Sequence, residues 1–402
     1  MIYLYTNDFL PMFGGVADYS ANLAAQLHHH GLLGKVITSA VQKSPLPFPV
    51  DSSFIKHQRN LHQRSGDGYP IFRKINTLWH FFVLNREARK EARRLKSEDR
   101  QPYVIITAYY DDETPVFIRW LKTYSIPYAI VLHGLDIIRN TDRDKSSFVK
   151  HCRHADLLIF NSNATAQLFR ERTSVAPDHQ YVLYPGVDPG KMMTPDSDDK
   201  KGGFVMTSVC TLVKRKGLDI ALRAFRNIAE HDPEARYIIV GDGPERNALE
   251  ELASDLGIRD AVKFSGRVDE AEKFRVLEMS HVFVMPTRSL GDKDFEGFGI
   301  SFLEAAYFGN ILIGGKHGGV PESIGDEGNG YMMNFDEPGV EDALSDLLST
   351  LHARKDTDAF RQACDQARRR IRENFDWKVL ASDFLNKTGL GVKYGNANQT
   401  GE

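Results

Sequence analysis

His281–Gly309, HVFVMPTRSLGDKDFEGFGISFLEAAYFG, holds three elements in one line. The run Val282–Pro286 is apolar and β-branched, as in a strand buried on both faces. A loop follows, and an apolar-periodic helix opens around Gly299. Gly297 and Gly299 let the backbone lie close to a ligand, and Phe298 and Ile300 stand beside them. Unpaired N–H groups and the positive dipole end at the helix start suit a diphosphate. Glu304, one turn inside the helix, can accept both hydrogens of a vicinal ribose diol. Glu296, on the loop, is left for hydroxyls beyond the phosphates. Two surface acids beside a Gly-rich loop would look alike if isolated; the strand, loop and helix around them favour the ligand reading.

The same alternation runs through the chain. Strands are expected at Ile2–Thr6, Val36–Ser39, Val104–Ala108, Tyr128–His133, Leu157–Asn161 and Tyr181–Tyr184. A second series falls at Phe204–Cys210, Arg236–Val240, Val262–Ser265, Val282–Pro286, Ile311–Gly314 and Gly330–Met333. Amphipathic stretches separate them, which predicts an α/β fold of two Rossmann-like, doubly wound parallel sheets. With 402 residues the chain has the length of two such domains. The Pro-, Gly- and Asp-rich segment around residues 189–203 reads as linker. It separates an expected first domain, residues 1–188, from a second, residues 204–374. Its Asp196-Ser197-Asp198 run is read as solvated linker rather than a metal-binding DxD. Ligands of open α/β sheets bind at the carboxyl ends of the strands, so two such domains are expected to face each other across a cleft.

Other segments after strands carry candidate chemistry. Gly14 and Gly15 lie between the first strand and a helix, where backbone can approach phosphate or sugar or simply turn. His133 and Asp136 follow the strand ending VLH. Lys214, Arg215 and Lys216 follow the first strand of the second half and can compensate a leaving diphosphate; a solvated charge cluster is the bland alternative. Gly241 and Gly243 in VGDGPER are not a dinucleotide fingerprint, because Arg246 takes the third glycine position. Gly318-Gly319-Val320-Pro321-Glu322 forms a glycine-rich loop suited equally to a ligand or a turn.

These motifs, in this order and over nearly the whole chain, resemble the retaining glycosyltransferases of family 4, two-domain enzymes of the GT-B fold. The resemblance implies that Glu296, Gly297, Phe298, Gly299, Ile300 and Glu304 bind a sugar nucleotide through the E-x7-E segment. It also implies that Gly14 and Gly15 face the donor, and that His133 lies beside the donor sugar. Asp136 would support His133 or contact the acceptor. Lys216 matches the family lysine of GRLxxxKG, whereas Thr211 stands where relatives carry arginine, leaving Arg215 or Lys214 to supply the second charge. Backbone near Arg267 and Val268 would border the nucleobase. The closing helix, residues 375–388, would return to the first domain with Trp377 in the core. His133, Glu296 and Lys216 would be catalytic, without metal or cofactor. The co-substrate would be a UDP-sugar, with UDP-glucose first on family frequency, and the acceptor a glycan or lipid-linked sugar. A synthase acting on a small acceptor, a sugar-nucleotide epimerase and an inactive nucleotide-sugar-binding protein remain alternatives.

Composition is that of a soluble globular protein able to bury substantial cores: 42% hydrophobic and 26% charged residues. A net charge of −3 gives no global attraction to nucleic acid. Three widely spaced cysteines, Cys152, Cys210 and Cys364, build neither a disulfide framework nor a CxxC site. The N-terminus reads as a first strand rather than a signal peptide, and no apolar run reaches the roughly 18 residues of a membrane span. A cytoplasmic protein is therefore expected. The segment Asn76–Lys96 joins an aromatic start to a basic end; it is either an ordinary domain helix or a peripheral contact with the inner face of a membrane.

Overall fold

The computed structural model describes residues 1–12, 14–38, 40, 45–52, 70–110, 113–192, 200, 202–292, 294–325 and 330–395. The Asp196-Ser197-Asp198 run lies outside them. The chain divides into two compact units, one of Met1–Tyr184 with Trp377–Glu402, the other Pro185–Asp376.

The first unit is built on seven strands: β1 (Ile2–Thr6), β2 (Leu33–Thr38), β3 (Val50–Asp51), β4 (Tyr103–Ile106), β5 (Tyr128–Leu132), β6 (Leu157–Phe160) and β7 (Gln180–Val182). Their order across the sheet is β3-β2-β1-β4-β5-β6-β7, every pairing parallel. The two-residue β3 is too short to carry a periodic signal and was not expected from the sequence. Strand pleating sends Tyr3, Tyr5, Val104, Ile106, Ile130 and Leu132 to one face, where they meet Leu84, Ala88, Phe117 and Phe148. Ile2, Leu4, Ile105, Ala129, Val131 and Ile159 go to the other face, against Tyr19, Leu23, Leu27, Trp377 and Phe384. This alternation with apolar residues on both sides is what a parallel sheet covered by two helical layers requires.

The second unit has six strands: β8 (Val205–Val209), β9 (Arg236–Val240), β10 (Val262–Gly266), β11 (Val282–Met285), β12 (Ile311–Gly315) and β13 (Gly330–Met333). Their order is β10-β9-β8-β11-β12-β13, again all parallel. In both sheets the order reverses beside the first strand of the unit, the doubly wound arrangement expected above. Helices Leu218–His231 and Val340–Arg354 bury Leu222, Phe225, Leu344 and Leu348 against one face. Phe302 packs edge-on against Phe283 at 5.0 Å.

Candidate donor site

In the second unit the site begins where β8 ends. The chain turns through a single 3-10 turn, Lys214–Lys216, closed by Gly217 at φ 67°. A Cβ on Gly217 would stand 2.0 Å from the Pro286 carbonyl oxygen, so only glycine lets this turn lie against the end of β11. Cys210 and Leu212 are pressed in the same way by Gly241 and Gly243, whose added Cβ atoms would meet the Cys210 and Leu212 carbonyls at 1.8 and 2.4 Å. The glycines of VGDGP thus serve close backbone packing.

This packing holds Arg215 and Lys216 in buried positions. Lys216 Nζ donates to Glu296 Oε2 at 2.6 Å, and Arg215 Nη1 donates to the same oxygen. Arg215 Nε donates to Asp294 Oδ1 at 2.8 Å. Two cations therefore face two carboxylates across the turn and the loop. Burial alone would raise the Glu296 carboxyl, but Lys216 and Arg215 outweigh it and hold the group at about 2. The Glu296 carbonyl is bound by the Gly319 amide at 2.9 Å, and Gly318 and Gly319 lie too close to Glu296 and Gly297 for any side chain. The Gly318-Gly319 loop is thus the seat on which the E-x7-E loop rests.

Gly299, at φ 93°, precedes helix Ile300–Tyr307 and gives it no side-chain cap. The amides at this start are donors of the kind that receive a phosphate. Phe298 is buried, its ring tilted against that of Phe375 with centroids 6.0 Å apart. Glu304, inside the helix, accepts from Lys273 Nζ at 2.6 Å. Arg267 is exposed, and Val268 packs beside Ile238, Val240 and Val276.

In the first unit, Gly14 (φ 141°) precedes helix Gly15–His29, and Gly134 (φ 106°) precedes helix Leu135–Arg153. His133 sits between β5 and the second of these helices. Its Nε2 lies 2.7 Å from the Thr107 carbonyl, which can only accept; Nε2 therefore carries a hydrogen and anchors the ring, leaving Nδ1 outside this bond. Tyr19 packs edge-on against the imidazole at 5.1 Å and is backed by Trp377 at 5.2 Å. The Asp136 carboxylate accepts from the amides of His133, Gly134 and Ile137 at 2.9–3.1 Å. Burial pushes its carboxyl up, opposed by His133 and these amides. Asp136 thereby fixes the loop that presents His133.

Two family profiles match the chain: "Glycosyltransferase Family 4" over residues 13–191 and "Glycosyl transferases group 1" over residues 194–370. The chain belongs to the family 4 glycosyltransferases. Among relatives of this family 4 chain is a GDP-mannose-dependent alpha-(1-6)-phosphatidylinositol monomannoside mannosyltransferase of Mycolicibacterium smegmatis. It is 34% identical over 208 residues, 48% of this chain and 53% of the relative. A putative colanic acid biosynthesis glycosyltransferase, WcaL of Escherichia coli K12, is 24% identical over 63% of this chain and 61% of its own. The first match thus spans about half the length of that relative. A crystal structure of Anabaena Alr3699/HepE in complex with UDP superposes with a TM-score of 0.70 at 18% identity, covering 97% of this chain and 99% of that one. This likeness is one of GT-B fold.

Within the second unit, the structure gathers Arg215, Lys216 and Glu296 into one cluster and places Glu304 on the helix that follows. Thr211 is exposed, and it is Arg215 that shares the Glu296 carboxylate with Lys216. Asp294 and Lys273 escaped the sequence reading. Asp294 stood in the quoted stretch, two residues before Glu296, and could have been weighed as a partner for the cations. Lys273 lies on another helix, and no spacing connects it to Glu304. Thr107 contributes only a carbonyl, which every residue has. Among the described residues no group of three or more His, Cys, Asp or Glu side chains is arranged to hold a metal ion, and no helix is long and apolar enough to cross a membrane.

Proposed function

We propose that this chain transfers a hexose from a nucleoside diphosphate sugar to a glycan or glycolipid acceptor, retaining the anomeric configuration and using no metal. The observation that carries the reading is the buried cluster of Lys216, Arg215 and Glu296 beside the uncapped start of helix Ile300–Tyr307. Departure of the diphosphate builds negative charge on its oxygens. Two fixed cations and helix-start amides lower the energy of that charge without reorganising water. Arg215 takes the part of the arginine that Thr211 replaces. The Glu296 carboxylate accepts hydroxyls of the sugar, and His133 accepts one through Nδ1. Both position the sugar as it becomes oxocarbenium-like. The departing phosphate oxygen takes the proton of the acceptor hydroxyl as the new glycosidic bond forms on the same face. Glu304 receives the ribose, and backbone near Arg267 and Val268 borders the base.

For the donor, relatives at 30–35% identity are named as GDP-mannose-dependent, which favours GDP-mannose over the UDP-glucose expected from the sequence. The acceptor reading leans on the same names and on the colanic acid biosynthesis named for WcaL. A lipid-linked acceptor also suits helix Pro70–Glu98, where Trp79, Phe81 and Phe82 are exposed and a basic stretch follows.

The test is turnover of GDP-mannose and UDP-glucose by EDTA-treated protein, with Lys216→Ala alongside. One of the two donors should be consumed, and the variant should lose about 10²–10³-fold in kcat. Equal turnover by wild type and variant would refute the assignment of the cluster.

A further inference from the structure

Glu304 has a partner on a different helix. Lys273 belongs to helix Glu270–Met279 and places Nζ 2.6 Å from Glu304 Oε1, each side chain being 16% exposed. Phe274 on the first helix meets Phe308, the residue that ends the second, with ring centroids 5.5 Å apart, and the Lys273 ammonium lies 5.0 Å from the Phe274 ring centroid. Lys273 is therefore held, and it holds one oxygen of the carboxylate. Its helix starts one residue, the N-cap Asp269, after Arg267 and Val268, which border the base in the reading above. Glu304 lies one turn beyond the start of the helix proposed for the diphosphate. A nucleoside diphosphate that spans these two places puts its ribose between them.

We propose that Lys273 is a positioning residue for recognition of the ribose diol, acting through Glu304. A glutamate side chain loses rotamer freedom when it binds. The ion pair removes most of that freedom before the nucleotide arrives, so the hydroxyls meet a fixed carboxylate. Affinity for a ribonucleotide then depends on Lys273, whereas affinity for a nucleotide lacking the hydroxyls does not. This rests on Glu304 being the ribose ligand, and the experiment separates the two claims.

GDP and UDP, each with its 2′,3′-dideoxy counterpart, are titrated calorimetrically into the full-length wild type, Glu304→Gln, Lys273→Met and Lys273→Arg. For the nucleotide that binds, the wild type should favour the ribose form by about tenfold or more, the value of a hydrogen bond to a charged group. Glu304→Gln and Lys273→Met should both bring the ratio toward one, and Lys273→Arg should restore most of it. A loss of packing alone weakens ribose and dideoxyribose forms together and leaves the ratio unchanged, so general destabilisation cannot imitate the result. If Glu304→Gln collapses the ratio and Lys273→Met keeps the wild-type value, the role of Lys273 is overturned and the reading of Glu304 stands. If Glu304→Gln itself keeps the wild-type ratio, both are overturned.

Discussion

Glu296 is buried with two cations on one of its oxygens, so its ordinary carboxylate chemistry is displaced toward acid. Folding holds the carboxyl at about 2, against 4.5 for the free group. A carboxyl depressed in the folded chain stabilises it above the unfolded pKa and loses that contribution as pH falls through the folded one. The cluster should thus contribute fully above about 4.5 and fade toward about 2. Glu296→Gln leaves Arg215 with Asp294 and leaves Lys216 without its carboxylate, a change that costs about 3–5 kcal/mol for buried pairs. Urea unfolding at several pH values should show the wild type more stable by an amount of this order near neutrality, with the difference shrinking below about 4.5. A difference independent of pH would mean that the cations are satisfied elsewhere.

At the scale of elements, strands and helix starts were legible because each carries its own local rule. The buried runs IYLYT, YAIVL and VFVM can only be central parallel strands, and Gly14, Gly134, Gly217 and Gly299 mark turns at positive φ or close approach. The E-x7-E segment was legible for the same reason, since its strand, loop and helix are contiguous. Partners supplied by another element were not: Lys273 on Glu304 and the Thr107 carbonyl on His133 depend on tertiary packing that no spacing encodes. Arg215 was left beside Lys214 as an alternative, and burial separates them, since Arg215 points inward and Lys214 is exposed. Helix Trp377–Lys387 shows how far apart such partners can be. Trp377 is buried and packs on Tyr19, which in turn packs on His133. Trp377→Ala should cost about 3–5 kcal/mol. Because the cavity would open behind Tyr19, it should also broaden the His133 ring resonances in NMR spectra. A variant with wild-type thermal stability would show that this helix contributes no core.

On the scale of the whole molecule, two sheets with the same winding carry different equipment. The second unit holds the cation–carboxylate cluster and the helix start suited to a diphosphate. The first offers an imidazole anchored through Nε2, and a long helix whose exposed aromatics precede a basic stretch. If that helix meets a lipid surface, the full chain should co-sediment with vesicles containing anionic phospholipid, and replacing Trp79, Phe81 and Phe82 together with Ser should abolish this while leaving nucleotide binding intact. Retention of the triple variant on vesicles would remove the membrane contact from the account.

The most direct measurement of the central claim is calorimetric titration of GDP, UDP, GDP-mannose and UDP-glucose into the EDTA-treated full chain, followed by chromatography for released nucleotide. The account predicts saturable binding of one nucleotide diphosphate and its sugar without metal, with slow release of the nucleotide from that sugar and a large loss of affinity in Lys216→Ala. Binding of none of the four by well-folded protein would contradict it.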